Sequence, residues 1–384
     1  MSGPEQLVPA TANLTFGDWI AGFRMRAEAQ GIRAEVMDGA FAGIEYNTSV
    51  IEKDRNQSEF SRTIWDYLDG AVSADRIANG RAALAAHGDL LQRIEDAYGV
   101  DKEIVVAIWG LESAYGTFRG NIPIIPAMAT LAFDGRRAAF FEGQLIAALK
   151  ILQAGDVDAG HMTGSWAGAM GHTQFMPTSF LDHAVDFTGD GRRDIWSDDP
   201  ADALASTAAY LRHFGWQKGE PWGVEVRVPE GFDYGLTGER VKKPAGDWAA
   251  LGIRDMEGKA VPDHGAASIL MPAGVRGATF MIFQNFHVIE RYNAADAYVI
   301  GVGHLADRIA GGPPIRADWP REDRALLAAE RQELQAKLTE AGFSTGGVDG
   351  KIGPNTIAAI RAFQRTVGLV PDGYASVEVL GKLR

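Results

Sequence analysis

The chain has 384 residues, enough for two or three domains of ordinary size. Apolar residues make up 46% and charged ones 23%, a globular composition, and no apolar run approaches the roughly 20 residues that cross a bilayer. A net charge of −13 argues against a nucleic-acid partner, and the absence of cysteine excludes disulfides, thiolate metal sites and thiol nucleophiles.

Residues 1–13 read as a loose tail, and Met1-Ser2-Gly3-Pro4 shows no basic region followed by an apolar one. That leaves either a cytoplasmic chain or one whose export segment has been removed. From Phe16 to about Ala97, apolar residues recur at three- and four-residue spacing among Ala, Arg and Glu, which predicts helix. The stretch Asp101-Lys-Glu-Ile-Val-Val-Ala-Ile-Trp-Gly-Leu-Glu-Ser-Ala-Tyr-Gly116 predicts another helix, with Asp101 as N-cap candidate and a Gly stop. Further helices are expected at 137–154, 200–213 and 294–310. Between about 220 and 285 the texture changes. Short β-branched runs (Val224-Glu-Val-Arg-Val228, Ala278-Thr-Phe-Met-Ile-Phe283) separated by Gly and Pro predict a small β-rich insertion. Gly311-Gly-Pro-Pro314 ends the preceding helix and opens a linker, after which 322–384 forms a unit of its own.

Glu112 stands out. Ile104, Val105, Ile108 and Leu111 share one helix face, and Glu112 falls on its margin, in the last turn. Partial desolvation and the negative end of the helix dipole both raise the pKa of a carboxyl placed there. That is how a general acid active near neutral pH is made. A Glu that pairs with a neighbouring Arg is the bland alternative, since structural carboxylates outnumber catalytic ones.

A second cluster, Gly164-Ser-Trp-Ala-Gly-Ala-Met-Gly-His-Thr-Gln-Phe-Met-Pro-Thr-Ser179, does not suit a long regular helix. Its small residues suit backbone packed closely against a ligand, with Ser165 and Gln174 as hydrogen-bonding groups and Met176-Pro177 as an apolar wall. The bland version is a Gly-rich corner. Gly164-Ser165-Trp-Ala-Gly168 lacks the spacing of a serine-hydrolase elbow. A third cluster, Asn285-Phe-His-Val-Ile-Glu-Arg-Tyr-Asn293 with Tyr298 beyond it, offers two tyrosines and two asparagines. Rings stack on pyranose faces and amides read hydroxyl or acetamido groups, so the cluster fits sugar recognition; Tyr210, ending an expected helix, could join it. For any single Tyr, core packing is the commoner role.

Taken together these residues resemble the membrane-bound lytic transglycosylase B family. The Glu112-Ser-Ala-Tyr-Gly116, Gly168-Ala-Met-Gly-His-Thr-Gln-Phe-Met-Pro177, Ala208-Ala-Tyr-Leu211, Gly215-Trp216 and Arg291-Tyr-Asn293 pieces occur in the family's order, over roughly 15–310. The resemblance implies a mostly α (α+β) chain, with a lysozyme-like catalytic core at 14–310, a helical N-terminal part, the β-rich insertion at about 220–285 and a linker at 311–321. It implies Glu112 as sole catalytic acid/base, and saccharide-binding positions at Ser165, Gln174, Tyr210, Tyr292, Asn293 and Tyr298, with Tyr67 in a weaker motif context; Met176, from the apolar wall read above, joins them as a substrate-binding candidate. The implied reaction is non-hydrolytic cleavage of peptidoglycan. No second acidic residue stands out in the motif clusters, whereas ordinary glycosidases use two carboxylates. A hydrolytic muramidase, and a non-catalytic wall-binding or scaffolding protein, are the competing readings.

Asp186-Phe-Thr188-Gly-Asp190-Gly191-Arg192 reproduces the first half of an EF-hand loop, with oxygens at positions 1, 3 and 5, Gly at 6 and a backbone carbonyl at 7. Position 12 is Ser197, not the usual Glu; the resemblance implies closure by a later Asp, a place that Asp202 occupies in a loop one residue longer. A structural Ca2+ is the expectation, with no cofactor required for chemistry; an Asp/Gly-rich turn without metal is the alternative. In 322–384, Val348-Asp-Gly-Lys-Ile-Gly-Pro354 and Ile357-Ala-Ala-Ile-Arg-Ala-Phe-Gln364 resemble the three-helix peptidoglycan-binding domain type 1. Asp349-Gly350 and Gly353-Pro354 are turn chemistry, and Asn355 or Thr356 can cap the next helix. The partners implied are peptidoglycan strands and other cell-wall enzymes, with a monomeric chain in the periplasm.

Overall fold

A computed structural model of the chain describes residues 14–56 and 62–384. The loose tail expected at 1–13 lies outside the described residues. In chain order the helices are α1 Phe16–Glu28, α2 Ala34–Ala40, α3 Thr48–Arg55, α4 Ile64–Ala71, α5 Ala74–Ala86, α6 Gly88–Tyr98, α7 Lys102–Ser113, α8 Ile124–Asp134, α9 Ala138–Ala154, α10 Pro177–His183, α11 Ala201–His213, α12 Ala245–Ala250, α13 Gln284–Glu290, α14 Asp296–Ile309, α15 Ala328–Glu340, α16 Pro354–Thr366 and α17 Val377–Leu383. The strands are β1 Ile122–Pro123, β2 Thr163–Gly164, β3 Gly223–Arg227, β4 Lys243–Pro244, β5 Arg254–Asp255, β6 Ala266–Leu270 and β7 Thr279–Ile282. The chain is mostly helical with a small sheet, as expected.

Two compact units emerge: one takes the described chain up to Asn56 and again from Gly116 to Ser206, the other takes the chain after Asn56 as far as Tyr115 and again Thr207–Arg384. In the first, α8 and α9 are apolar almost all round and form its core, with Ile124, Met128, Leu145 and Leu149 fully buried. A helix apolar on every side belongs in an interior. Its polar edges are tied by ion pairs. Buried Asp54, for instance, receives Arg136 and Arg137, and Arg26 grips Glu142 at 2.7 Å.

In the second unit, α14 packs on α4, α5 and α7. Glycines on α14 set the distance. A Cβ on Gly301 would sit 3.0 Å from the Tyr67 ring, and one on Gly303 2.5 Å from the Trp222 ring. The sheet runs β4-β6-β7-β3-β5, all antiparallel, with Val226 opposite Thr279 and Ile269 opposite Met281. Trp248, Ile269, Met281 and Phe283 fill one side of it.

Helices α15–α17 close on Leu334, Leu338, Ile360, Phe363 and Leu380. Two Asp-Gly turns in this part are each held by a buried Gln. Gln335 donates to Asp349 Oδ1 at 3.0 Å and accepts from Gly350 N at 2.7 Å; Gln364 donates to Asp372 Oδ1 at 2.7 Å and accepts from Gly373 N at 2.9 Å. Each amide is satisfied at both ends, as a buried polar group must be. The cap of α16 departs from expectation. Gly353 is the N-cap with Pro354 at the first position, and Thr356 is buried instead, its hydroxyl accepting from Gln335. The linker segment is pinned: Arg321 pairs with Asp69, Trp319 lies 6.4 Å from Trp65, and the amides of Arg316 and Ala317 donate to Glu225.

Candidate active site

Helix α7 is built from seven consecutive buried residues, Ile104 to Gly110. Asp101 occupies its N-cap position but makes no cap bond. Its carboxylate instead accepts from the Trp216 indole at 2.8 Å and from Gly219 N at 3.1 Å, a long-range tie that outcompetes the local cap. The expected Gly stop also differs. The helix ends at Ser113, and Ala114 and Tyr115 are both left-handed (φ 49° and 57°) before Gly116 is reached. That conformation costs a side-chain-bearing residue roughly 1–2 kcal/mol each, so surrounding contacts must hold it.

Glu112 lies in the last turn, half-buried, where the sequence pattern puts it. Tyr298, buried on α14, donates its hydroxyl to Glu112 Oε1 at 2.5 Å. Burial lifts the carboxyl from its ordinary 4.5 to about 7, and the Tyr298 hydrogen bond works against that rise. Among the described residues of this unit, no second carboxylate shifts Glu112. The Tyr298 phenol, pushed well above its usual range by burial and by Glu112, stays protonated and donates. Such a group can give a proton near neutral pH and take one back.

The other positions named from the sequence fall into distinct settings. Tyr67 is half-buried against Gly301, close enough to influence Tyr298. Tyr292 is half-buried too, and the ring of Tyr210 meets it edge-on at 5.1 Å. Tyr210 itself is buried and donates to Arg291 O at 2.6 Å. Asn293 is exposed, its side chain accepting from Ala295 N. Asn285, part of the same sequence cluster, belongs to the framework: fully buried, it bridges Gln217 and Glu220 through both ends of its amide. Tyr298 likewise directs its polar atom at the carboxylate.

In the first unit, the 164–176 segment turns back on itself through bridges Gly164–Met170 and Met170–Phe175. Its glycines were expected to admit a ligand, but they admit the protein. A Cβ on Gly164 would lie 2.1 Å from Ala169 O, one on Gly168 2.6 Å from Met128 Sδ, and one on Gly171 2.2 Å from Ile195 O. Ser165 Oγ accepts from Ala169 N at 3.1 Å. Gln174 is left-handed (φ 55°), its NH2 donating to Gly171 O at 2.8 Å and Arg119 O at 3.0 Å, while Oε1 takes no partner among the described residues. Met176, half-buried, precedes the Pro177 that opens α10.

The acidic loop lies in the same unit. Carboxylate oxygens of Asp186, Asp190 and Asp202 all lie within 4.8 Å of one another. Asp202 is buried, receiving Phe187 N, Thr188 N and Asp194 N, and burial raises its pKa, with the Asp186 charge adding to that. Asp186 is lowered, chiefly by the Gly191 amide. Ser197 directs its hydroxyl to Asp199 O at 3.3 Å. An all-oxygen donor set of this kind fits a hard divalent cation.

Similarity to known proteins agrees with this chemistry. The transglycosylase SLT domain matches residues 15–307, and the peptidoglycan binding domain matches 328–383. Membrane-bound lytic murein transglycosylase B of Escherichia coli is 36% identical over 246 residues, 62% of this chain and 65% of that protein. The chain thus spans about two thirds of the length of that curated relative. The structure of SltB3 from Pseudomonas aeruginosa, in complex with NAG-anhNAM-pentapeptide, superposes with a TM-score of 0.94 at 49% identity, covering 96% of this chain and 99% of SltB3. The E. coli lytic transglycosylase Slt35, in complex with calcium, gives 0.66 at 30% identity, covering 78% and 94%. The chain therefore belongs to the transglycosylase SLT domain family of lytic transglycosylases and carries a peptidoglycan binding domain at its C-terminal end.

Proposed function

We propose that this chain cleaves the β-1,4 bond between N-acetylmuramic acid and N-acetylglucosamine in peptidoglycan without water, with Glu112 as the one acid/base. The observation that carries the reading is the carboxyl of Glu112, lifted to about 7 by burial, held by Tyr298 and shifted by no second carboxylate among the described residues of its unit. In the first step the Glu112 proton passes to the glycosidic oxygen as its bond to C1 of the muramyl residue breaks, with the substrate's acetamido oxygen closing on C1. In the second, ionised Glu112 takes the proton of the muramyl 6-hydroxyl while O6 attacks C1 and expels the acetamido oxygen. Proton and electron pair balance, Glu112 is regenerated, and a 1,6-anhydro ring remains. A hydrolase would need a base or nucleophile carboxylate beside Glu112.

Tyr67, Tyr210, Tyr292 and Asn293 serve saccharide binding in this proposal, as do Ser165, Gln174 and Met176. The relative SltB3 is seen with NAG-anhNAM-pentapeptide and with NAG-NAM-pentapeptide, which supports such a ligand here. Asp186, Thr188, Asp190, the Arg192 carbonyl and Asp202 would hold a Ca2+ that stiffens their loop and takes no part in proton transfer. Peptidoglycan as substrate favours a periplasmic setting, and no helix among the described residues is long and apolar enough to cross a membrane. The C-terminal domain tethers the enzyme to the wall and raises the local concentration of glycan.

Mass spectrometry of muropeptides released from purified peptidoglycan, beside Glu112→Gln, tests the reading. Anhydromuramyl ends that vanish in the variant are expected; reducing ends would reject it.

A further inference from the structure

The Ala114-Tyr115 corner that ends α7 has no part in the chemistry above, yet it departs from ordinary backbone more than any other non-glycine pair among the described residues. Both residues are left-handed, and Gln174 is the one other described non-glycine residue with positive φ. The chain closes the helix with Ala114 N donating to Gly110 O at 3.1 Å and Tyr115 N to Trp109 O at 3.3 Å. This path curls the Tyr115 side chain back beneath α7. Its ring lies where a Cβ on Gly110 would be, 2.6 Å away, and meets Trp109 edge-on at 5.9 Å. Its hydroxyl donates to Arg76 O on α5 at 2.7 Å, in the space that a Cβ on Gly80 would occupy. Arg76 answers across the same gap: its guanidinium donates to Gly110 O and, at 3.3 Å, to Gly70 O. Ile309, on the helix that carries Tyr298, crowds the same Gly80.

From this geometry we infer that Tyr115 and Arg76 form a latch that positions Glu112, fixing the final turn of α7 so that its carboxyl meets the Tyr298 hydroxyl. Glu112 follows Gly110 by two residues and precedes the left-handed pair by two. Released, the corner relaxes toward ordinary helix or extended backbone, and the turn carrying Glu112 rotates with it. Two small residues, Gly80 and Gly110, exist in this packing to admit the latch. The inference rests on Glu112 being the acid/base. Neither Tyr115 nor Arg76 is assigned contact with substrate; both act through Glu112.

The test uses the full chain with Tyr115→Phe, which keeps the ring and removes the hydrogen bond, and Arg76→Lys, which keeps the charge and loses the two-carbonyl bridge. Rates of anhydromuramyl product formation are measured against substrate concentration and pH, with Glu112→Gln in parallel and the thermal midpoint of each variant recorded. Small displacements of a catalytic group lower turnover by about 10- to 100-fold, and that drop in kcat is expected with KM within about twofold. The ionisation that limits activity on the alkaline side should also move away from its wild-type position near 7, which a merely structural loss would not cause. Unchanged kcat and pH profile in both variants, beside an inactive Glu112→Gln, overturn the latch alone. So does a rate loss that follows the unfolded fraction with the profile in place. Retained turnover in Glu112→Gln overturns the latch together with the reading of Glu112.

Discussion

Replacing Glu112 by Gln should make the protein more stable at pH 8 and leave its stability unchanged at pH 4. The wild-type carboxyl ionises at about 7 in the fold against an ordinary 4.5. Below 4.5 it is protonated in both folded and unfolded chains and contributes no difference. As pH rises from 4.5 to 7 the unfolded chain ionises first, so the folded state loses ground, and above 7 the loss is complete. At about 1.4 kcal/mol per tenfold change, that loss amounts to about 3 kcal/mol. Glu112 keeps some contact with solvent, so this is an upper limit. Gln is nearly isosteric and never ionises, so the gap between variant and wild type opens from acid to alkali. Denaturant unfolding of both proteins at a series of pH values, followed by the fluorescence of Trp109 and its neighbours, measures the gap. A gap constant with pH, or one that widens toward acid, would refute the burial of a titrating carboxyl at this position.

The Tyr298→Phe variant removes the hydrogen bond that holds the Glu112 pKa down, so the alkaline limb of kcat/KM should move above 7 by about one pH unit while kcat falls about tenfold, since a hydrogen bond to a charged group is worth ~1.5–3 kcal/mol. A pH–rate profile checks both. Adding Ca2+ to the chelator-treated protein should raise its thermal midpoint, by about 2.7 kcal/mol of stability at a hundredfold excess over Kd. Asp190→Asn, at an exposed member of the carboxylate cluster, should abolish most of that gain. A wild-type protein indifferent to Ca2+ would remove the cation from the picture.

Much of this was legible in the sequence because it is local. The helices carry their periodicity in the apolar spacing, and Glu112 could be placed on a half-buried face from Ile104, Ile108 and Leu111 alone. What escaped depends on partners far along the chain. Asp101 has the residue type of an N-cap, but Trp216 and Gly219, more than a hundred residues later, claim its oxygens. Asn285 sits in a run that reads as sugar-binding, yet it bridges Gln217 and Glu220. The glycines of the 164–176 segment announce close approach, which is correct, without saying that the approaching atoms belong to Ala169, Met128 and Ile195. Tyr298 and Glu112 are 186 residues apart. No periodicity joins them; packing of α14 across α7, set by Gly301, does.

Cleavage in water enriched in 18O tests the central chemistry most directly. Peptidoglycan strands digested by the wild-type protein in that solvent should yield anhydromuramyl ends with no 18O at C1, because O6 of the same sugar closes the ring. One 18O at each newly formed reducing end would mean that water attacks the bond, and the single-carboxyl mechanism centred on Glu112 would be wrong.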